Sequence, residues 1–261
     1  MADVRKLFGT DGVRGHANTD LTPELAFDLA RAAGEGSDGP VVIGRDTRRS
    51  GPMLASALHA GFNSVGVDTV DLGIIPVGAV SRLGRDTGSR FGVMVSASHN
   101  PAPDNGIKFF GNDGAKLSDE REAAIEERYF RSAPWRIPSG AGVGIQSAMT
   151  DAVERYVGFL ADSFDYSMRG LSFVLDCANG AAFRSAPDLF RRLGAEVEAF
   201  NAEPDGMNIN LDCGATHPEF LAERAAGRVG LSFDGDADRL IAVDEDGETV
   251  DGDVLMAIFA R

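Results

Sequence analysis

Apolar positions along the chain follow two periods. Residues 40–44 (PVVIG) and 91–95 (FGVMV) are short continuous apolar runs, the pattern of strands buried on both faces of a parallel or mixed sheet. Residues 65–72 supply a further strand. Between these runs, residues 21–33, 50–63, 76–83 and 118–130 carry apolar residues at helical spacing. Thr22 is placed to cap the first helix, Pro23 suits its first turn, and the helix should end near Gly34. Residues 132–144 (SAPWRIPSGAGVG) lack either period and read as a connection. The alternation then restarts: a helix over 149–164, a strand over 171–176, a helix over 181–193, a strand over 195–200, a helix over 218–226, strands over 229–233 and 240–243, and a helix over 253–260. Strand and helix alternation this regular predicts an α/β protein of two three-layer α/β/α domains with mixed sheets. Their expected bounds are 1–148 and 149–252, with 253–261 opening a third domain at which the chain stops.

Within this pattern, residues 91–112 (FGVMVSASHNPAPDNGIKFFGN) combine an apolar strand with a polar loop. The strand delivers Ser96, Ser98 and His99. The chain then turns through Pro101, Pro103 and the Asn105-Gly106 pair, and a second strand returns with Lys108 among Ile107, Phe109 and Phe110. Loops held by rigid strands are where reacting groups tend to be displayed. Residues 6–15 (KLFGTDGVRG) read as a glycine-rich loop pinned to the first strand and carrying Arg14. The Arg45-Asp46-Thr47-Arg48 run follows strand 40–44 at its C-terminal end, where open α/β sheets place their ligands.

Composition narrows the function classes. The 261 residues include 40 acidic and 25 basic side chains, a net charge of −15. That balance argues against non-specific binding to nucleic acid or to an anionic membrane. Cys177 and Cys213 lie far apart without metal-ligand spacing and read as reduced thiols of a cytoplasmic protein. The segment MADVRKLFG has no apolar h-region, and no run approaches the roughly 18 apolar residues of a membrane span.

Asp234, Asp236 and Asp238 alternate with Gly and Ala in a loop between two strands. Carboxylates about 5 Å apart repel by about 3 kcal/mol per pair at an effective dielectric of about 20, so protons or a cation must relieve them. An all-oxygen site suits a hard cation such as Mg²⁺. The spacing also approaches an EF-hand calcium loop, with Glu245 at the twelfth position. Against that, Arg239 stands at the sixth position, where the sharp turn needs Gly, and the flanks read as strands. A solvated acidic turn is the third reading.

Each element of the polar stretch has an ordinary explanation when taken singly. A Ser after a strand is usually structural, a loop His is usually hydrogen-bonded, and a strand-edge Lys can snorkel to solvent. Together they supply an oxygen nucleophile, a proton shuttle, cations for phosphate and a separate metal loop, which are the parts of metal-dependent phosphoryl transfer.

At these residues the chain resembles the α-D-phosphohexomutases. The matching segments are FGTDGVRG at 8–15, GRDTRRSG at 44–51, SASHNPAPDNGIKFF at 96–110, NINLDCGATHPE at 208–219 and SFDGDADR at 232–239. They occur in the family's order and span the chain. The IKFF ending and the CGATHPE stretch resemble the glucosamine branch of the family more than its phosphomannomutase/phosphoglucomutase branch. The resemblance implies that Ser98 is the phosphorylated serine and that its phosphate, with Asp234, Asp236 and Asp238, coordinates Mg²⁺. It implies interconversion of glucosamine 6-phosphate and glucosamine 1-phosphate through a 1,6-bisphosphate, in peptidoglycan precursor synthesis. Lys108 matches the general acid/base. His99, Arg14 and Arg239 match positions that support the phosphoserine and the moving phosphoryl group, and Asn100 shapes the loop. The sugar-recognition loop of the family's third domain and the Arg-Ser-Gly-Thr loop of its fourth have no counterpart in these 261 residues, so turnover by this chain alone is expected to be weak. Association through the apolar face those domains would cover is expected with it. The alternative from another class is a module that holds Mg²⁺ or a phosphosugar without turning it over.

Overall fold

The computed structural model describes residues 7–225 and 227–260. Residues 1–6, 226 and 261 lie outside it, and with them the start of the 6–15 loop and the last position of the helix expected over 218–226.

The first unit is built on six strands: β1 (Val13–His16), β2 (Val41–Arg45), β3 (Thr69–Ile74), β4 (Phe91–Val95), β5 (Asp104–Phe110) and β6 (Gln146–Ala148). They lie in the order β1-β5-β4-β2-β3-β6. The β1–β5 and β5–β4 pairs are antiparallel and the rest parallel. Continuous apolar runs arise because both faces are covered. Val41, Ile43, Val93 and Val95 point into one core with Leu29, Leu54, Leu58 and Phe62, while Val42 and Met94 point into the other with Leu72, Val80 and Leu83. The first core is roofed by α1 (Pro23–Gly34), α2 (Gly51–Ser64) and α4 (Asp119–Phe130), the second by α3 (Val77–Asp86). Thr22 caps α1 as expected, its hydroxyl accepting from the Leu25 amide at 3.2 Å.

The second unit has five strands: β7 (Ser172–Asp176), β8 (Glu196–Phe200), β9 (Val229–Phe233), β10 (Leu240–Val243) and β11 (Thr249–Val250). Their order is β11-β10-β9-β7-β8, parallel around β7 and antiparallel from β9 outward. Leu175 packs towards α6 (Ser185–Arg192) with Ala182, Ala186 and Phe190, whereas Val174 packs towards α7 (Glu219–Ala225) with Leu221 and Val243. Between the units α5 (Ala152–Asp162) lies against both α3 and α6. The last helix, α8 (Gly252–Phe259), is capped by Asp251 and leaves Val254, Met256 and Ile258 exposed.

Several local expectations are corrected. Asn105 and Gly106 are not a turn but lie inside β5, paired with Gly15 and Arg14 of β1. Glycine is required there by crowding: a Cβ on Gly106 would stand 2.5 Å from the Ser96 carbonyl oxygen. Part of the expected 6–15 loop is strand β1, and β6 emerges from the end of the expected connection because it adds to the β3 edge. Residues 181–184 are turn, not helix, and the Ala181 amide donates to the Gly235 carbonyl at 2.8 Å.

Candidate active site

Strand β4 ends at Val95, and the loop that follows turns back under strain. Ser98 is buried and left-handed, with φ 53°. A non-glycine residue keeps that conformation only when its surroundings hold it. Here the Ser98 amide donates to Ser96 Oγ at 2.9 Å, and the Ser98 carbonyl accepts from an Arg48 terminal nitrogen at 3.0 Å and from Asn210 Nδ2 at 2.9 Å. The backbone thus pinned, Ser98 Oγ donates to Asp234 Oδ2 at 2.6 Å and stands 3.4 Å from His99 Nδ1.

Asp234 belongs to the tight loop joining β9 to β10. Asp234, Asp236 and Asp238 each bring one carboxylate oxygen to within 4.8 Å of the others. Burial pushes Asp234 up to about 6, reinforced by the charge of Asp236 and opposed by the hydrogen bond from Ser98. Asp236 is buried; its Oδ2 accepts from Lys108 Nζ at 2.8 Å, and its Oδ1 has no partner among the described residues. Lys108 also stands 3.7 Å from Asp238. One ammonium against three converging carboxylates leaves net negative charge and an unpaired buried oxygen, a donor set suited to a hard divalent cation. Strands β9 and β10 flank the loop, which removes the helix–loop–helix frame that an EF-hand needs.

The remaining expected residues gather around this pair of loops. Lys108 extends from β5, next but one to Gly106, and Arg14 from β1, where it pairs with Asp11 at 3.2 Å. Arg239 donates its amide to Asp234 Oδ1 at 3.2 Å, and its exposed guanidinium lies 3.8 Å from Asp238. His99 is held below its ordinary pKa by burial first, then by the cationic charges of Arg239 and Arg14. Asn100 ties the far side of the loop, donating to Asp104 Oδ2 at 2.9 Å.

Two contributors were hidden from sequence reasoning. Arg48, within the run expected to face a ligand, is fully buried and faces the back of the Ser98 loop. It pairs with Asp46 at 2.9 Å and donates to the carbonyls of Ser98, Asn100, Pro101 and Asp104. The signal was the cationic run after a buried strand; its inward direction depends on loops some fifty residues later. Asn210 had no signal beyond its place in the matched 208–219 segment.

Comparison with known proteins identifies the family. Residues 5–134 match the phosphoglucomutase/phosphomannomutase α/β/α domain I, and residues 154–247 match α/β/α domain II of the same family. The chain belongs to this family. It is 56% identical over 267 aligned positions to a phosphoglucosamine mutase of Symbiobacterium thermophilum, covering 98% of this chain and 59% of the relative. It is 54% identical to the phosphoglucosamine mutase of Moorella thermoacetica, covering 98% and 60%. A crystal structure of a phosphoglucomutase/phosphomannomutase family protein from Burkholderia thailandensis superposes with a TM-score of 0.83 at 30% identity, over all of this chain and 59% of the other. The chain therefore spans about three fifths of the length of the curated relatives it matches.

Proposed function

We propose that these two domains are the phosphoryl-donor half of a phosphoglucosamine mutase, in which Ser98 carries the phosphoryl group between the two oxygens of a glucosamine phosphate. The observation that carries the reading is the 2.6 Å hydrogen bond from Ser98 Oγ to Asp234, which sets a strained, buried hydroxyl against three converging carboxylates. Identity above 50% to curated phosphoglucosamine mutases supports the choice of sugar.

In the reaction, a free hydroxyl of the hexosamine phosphate attacks the phosphorus on Ser98. The new P–O bond forms as the bond to Ser98 Oγ breaks, giving the 1,6-bisphosphate; the other phosphate then returns to Ser98 by the reverse step. Lys108 is the proton-transfer group for the sugar hydroxyl. His99, Arg14 and Arg239 surround the transferring group with donors and positive charge. Asp234, Asp236 and Asp238 would hold Mg²⁺, which when bound neutralises charge on the phosphoryl oxygens and the departing serine oxygen. Free, buried Cys177 and Cys213 suit a reducing cytoplasmic setting. No helix among the described residues is long and apolar enough to cross a membrane. Exposed Val254, Met256 and Ile258 on α8 provide an apolar surface for association.

The test is a half-reaction. Glucosamine 1,6-bisphosphate and Mg²⁺ are mixed with the dephosphorylated chain, and released glucosamine monophosphate is measured. One equivalent per chain is expected from the wild type and none from Ser98→Ala. Release that persists in Ser98→Ala would show that the serine is not the acceptor.

A further inference from the structure

The buried machinery behind the Ser98 loop is not used by any chemical step above, yet it is elaborate. The Arg48 side chain is fully desolvated, an expensive placement for a guanidinium that only the pairing with Asp46 and a full set of acceptors offsets. Its terminal nitrogens reach four carbonyls, all within residues 98–104. From the other domain, Asn210 directs its amide nitrogen at two of the same oxygens, those of Ser98 at 2.9 Å and Asn100 at 3.1 Å. Two carbonyl acceptors require the nitrogen on that side, because the amide oxygen would face like lone pairs. Asn210 is itself left-handed, with φ 57°, and its own amide donates to the Ala178 carbonyl at 2.9 Å, so its side chain is aimed by the second domain's backbone. Gly235 closes the third side: a Cβ there would stand 2.4 Å from the Ser98 carbonyl oxygen.

We propose that Arg48 and Asn210 are positioning residues for phosphoryl transfer, clamping the Ser98 and Asn100 carbonyls from the two domains so that the strained Ser98 backbone holds Oγ at the acidic loop. The inference rests on the reading of Ser98 as the phosphoryl carrier. Neither residue bonds the reacting oxygen: both donate to the Ser98 carbonyl, while the Ser98 hydroxyl donates to Asp234. The clamp spans the domain boundary, so a shift of one domain relative to the other moves the donor oxygen. Because displacement of a reacting atom by about 1 Å can slow a step by about 100-fold, loosening the clamp should lower the rate of transfer and leave ligand affinity in place.

Asn210→Gly removes the amide but keeps the left-handed backbone available. Arg48→Lys keeps the charge beside Asp46 but cannot span four carbonyls. Single-turnover phosphorylation by glucosamine 1,6-bisphosphate is measured over a range of bisphosphate concentrations, with Mg²⁺-induced thermal shift as the check on folding. In Asn210→Gly the maximal rate should fall about 10- to 100-fold, with the half-saturating bisphosphate concentration and the Mg²⁺ shift within about twofold of wild type. Arg48→Lys should show the same split or a larger one. A maximal rate within twofold of wild type in folded Asn210→Gly overturns the proposal, as does a loss confined to half-saturation. If Arg48→Lys does not fold, Asn210→Gly alone decides. Failure of the wild type to accept a phosphoryl group would instead remove the Ser98 reading itself.

Discussion

At the scale of single residues, the site is a set of charges that the fold leaves unbalanced. Asp234 has an ordinary carboxyl pKa of 3.8 and is raised to about 6 in the folded chain. The folded state therefore binds its proton more tightly than the unfolded state. Without a divalent cation, this group lowers stability fully above pH about 6, and the penalty lifts as pH falls from about 6 towards 3.8. A cation relieves the same penalty, so Mg²⁺ should raise the melting temperature clearly above pH 6 and much less below it, where the proton competes. Equal Mg²⁺ shifts on both sides of pH 6 would contradict the assignment of Asp234 as a ligand. Asp236→Asn should remove most of the Mg²⁺ shift, because it deletes one of the three converging carboxylates that would hold the cation. Side-chain identity made Ser98, Lys108 and the three aspartates legible in the sequence. Arg48 was legible only as a cation near a strand end, because its inward direction is set by carbonyls of a distant loop.

At the scale of elements, hydrophobic period decided most of the fold. Strands such as 91–95 read directly because both faces are buried, which leaves no polar position to interrupt the run. Short edge strands did not read: β6 and β11 are three and two residues long, and each exists because a longer neighbour offers a free edge. Asn105-Gly106 misled for a physical reason, since the same dipeptide that makes a tight turn also suits a strand where another backbone comes close. Phe62 fills the core between α1 and α2, and Phe62→Ala should cost about 3 to 5 kcal/mol in urea unfolding. Gly235→Ala acts differently. Its added Cβ meets the backbone oxygen of Ser98, which Arg48 and Asn210 prevent from yielding, so it should both lower the melting temperature and abolish phosphorylation of Ser98. Wild-type phosphorylation in Gly235→Ala would show that the two loops are not in fixed contact.

At the scale of the whole molecule, the proposed site is assembled from two domains, and neither holds it alone. Ser98 and Asp234 are 136 residues apart in sequence. They meet because the domains are stitched by specific hydrogen bonds: Thr47 Oγ1 donates to the Asn179 carbonyl at 2.5 Å, the Arg49 amide to the Gly206 carbonyl at 2.9 Å, and the Val77 amide to the Asp236 carbonyl at 3.0 Å. Thr47→Val leaves the Asn179 carbonyl without that donor, with an expected loss of about 1 to 3 kcal/mol and slower phosphorylation of Ser98. No sequence period reports such stitching, which is why the residues alone made the two halves of the site readable separately and only the family resemblance brought them together. The central claim is that this meeting makes Ser98 the phosphoryl carrier, and the most direct measurement locates the phosphate. After incubation with glucosamine 1,6-bisphosphate and Mg²⁺, tandem mass spectrometry of the digested chain should find a single phosphoryl group on Ser98, lost again when glucosamine 6-phosphate is added. A phosphate on any other residue, or none on a folded chain that binds Mg²⁺, would contradict it.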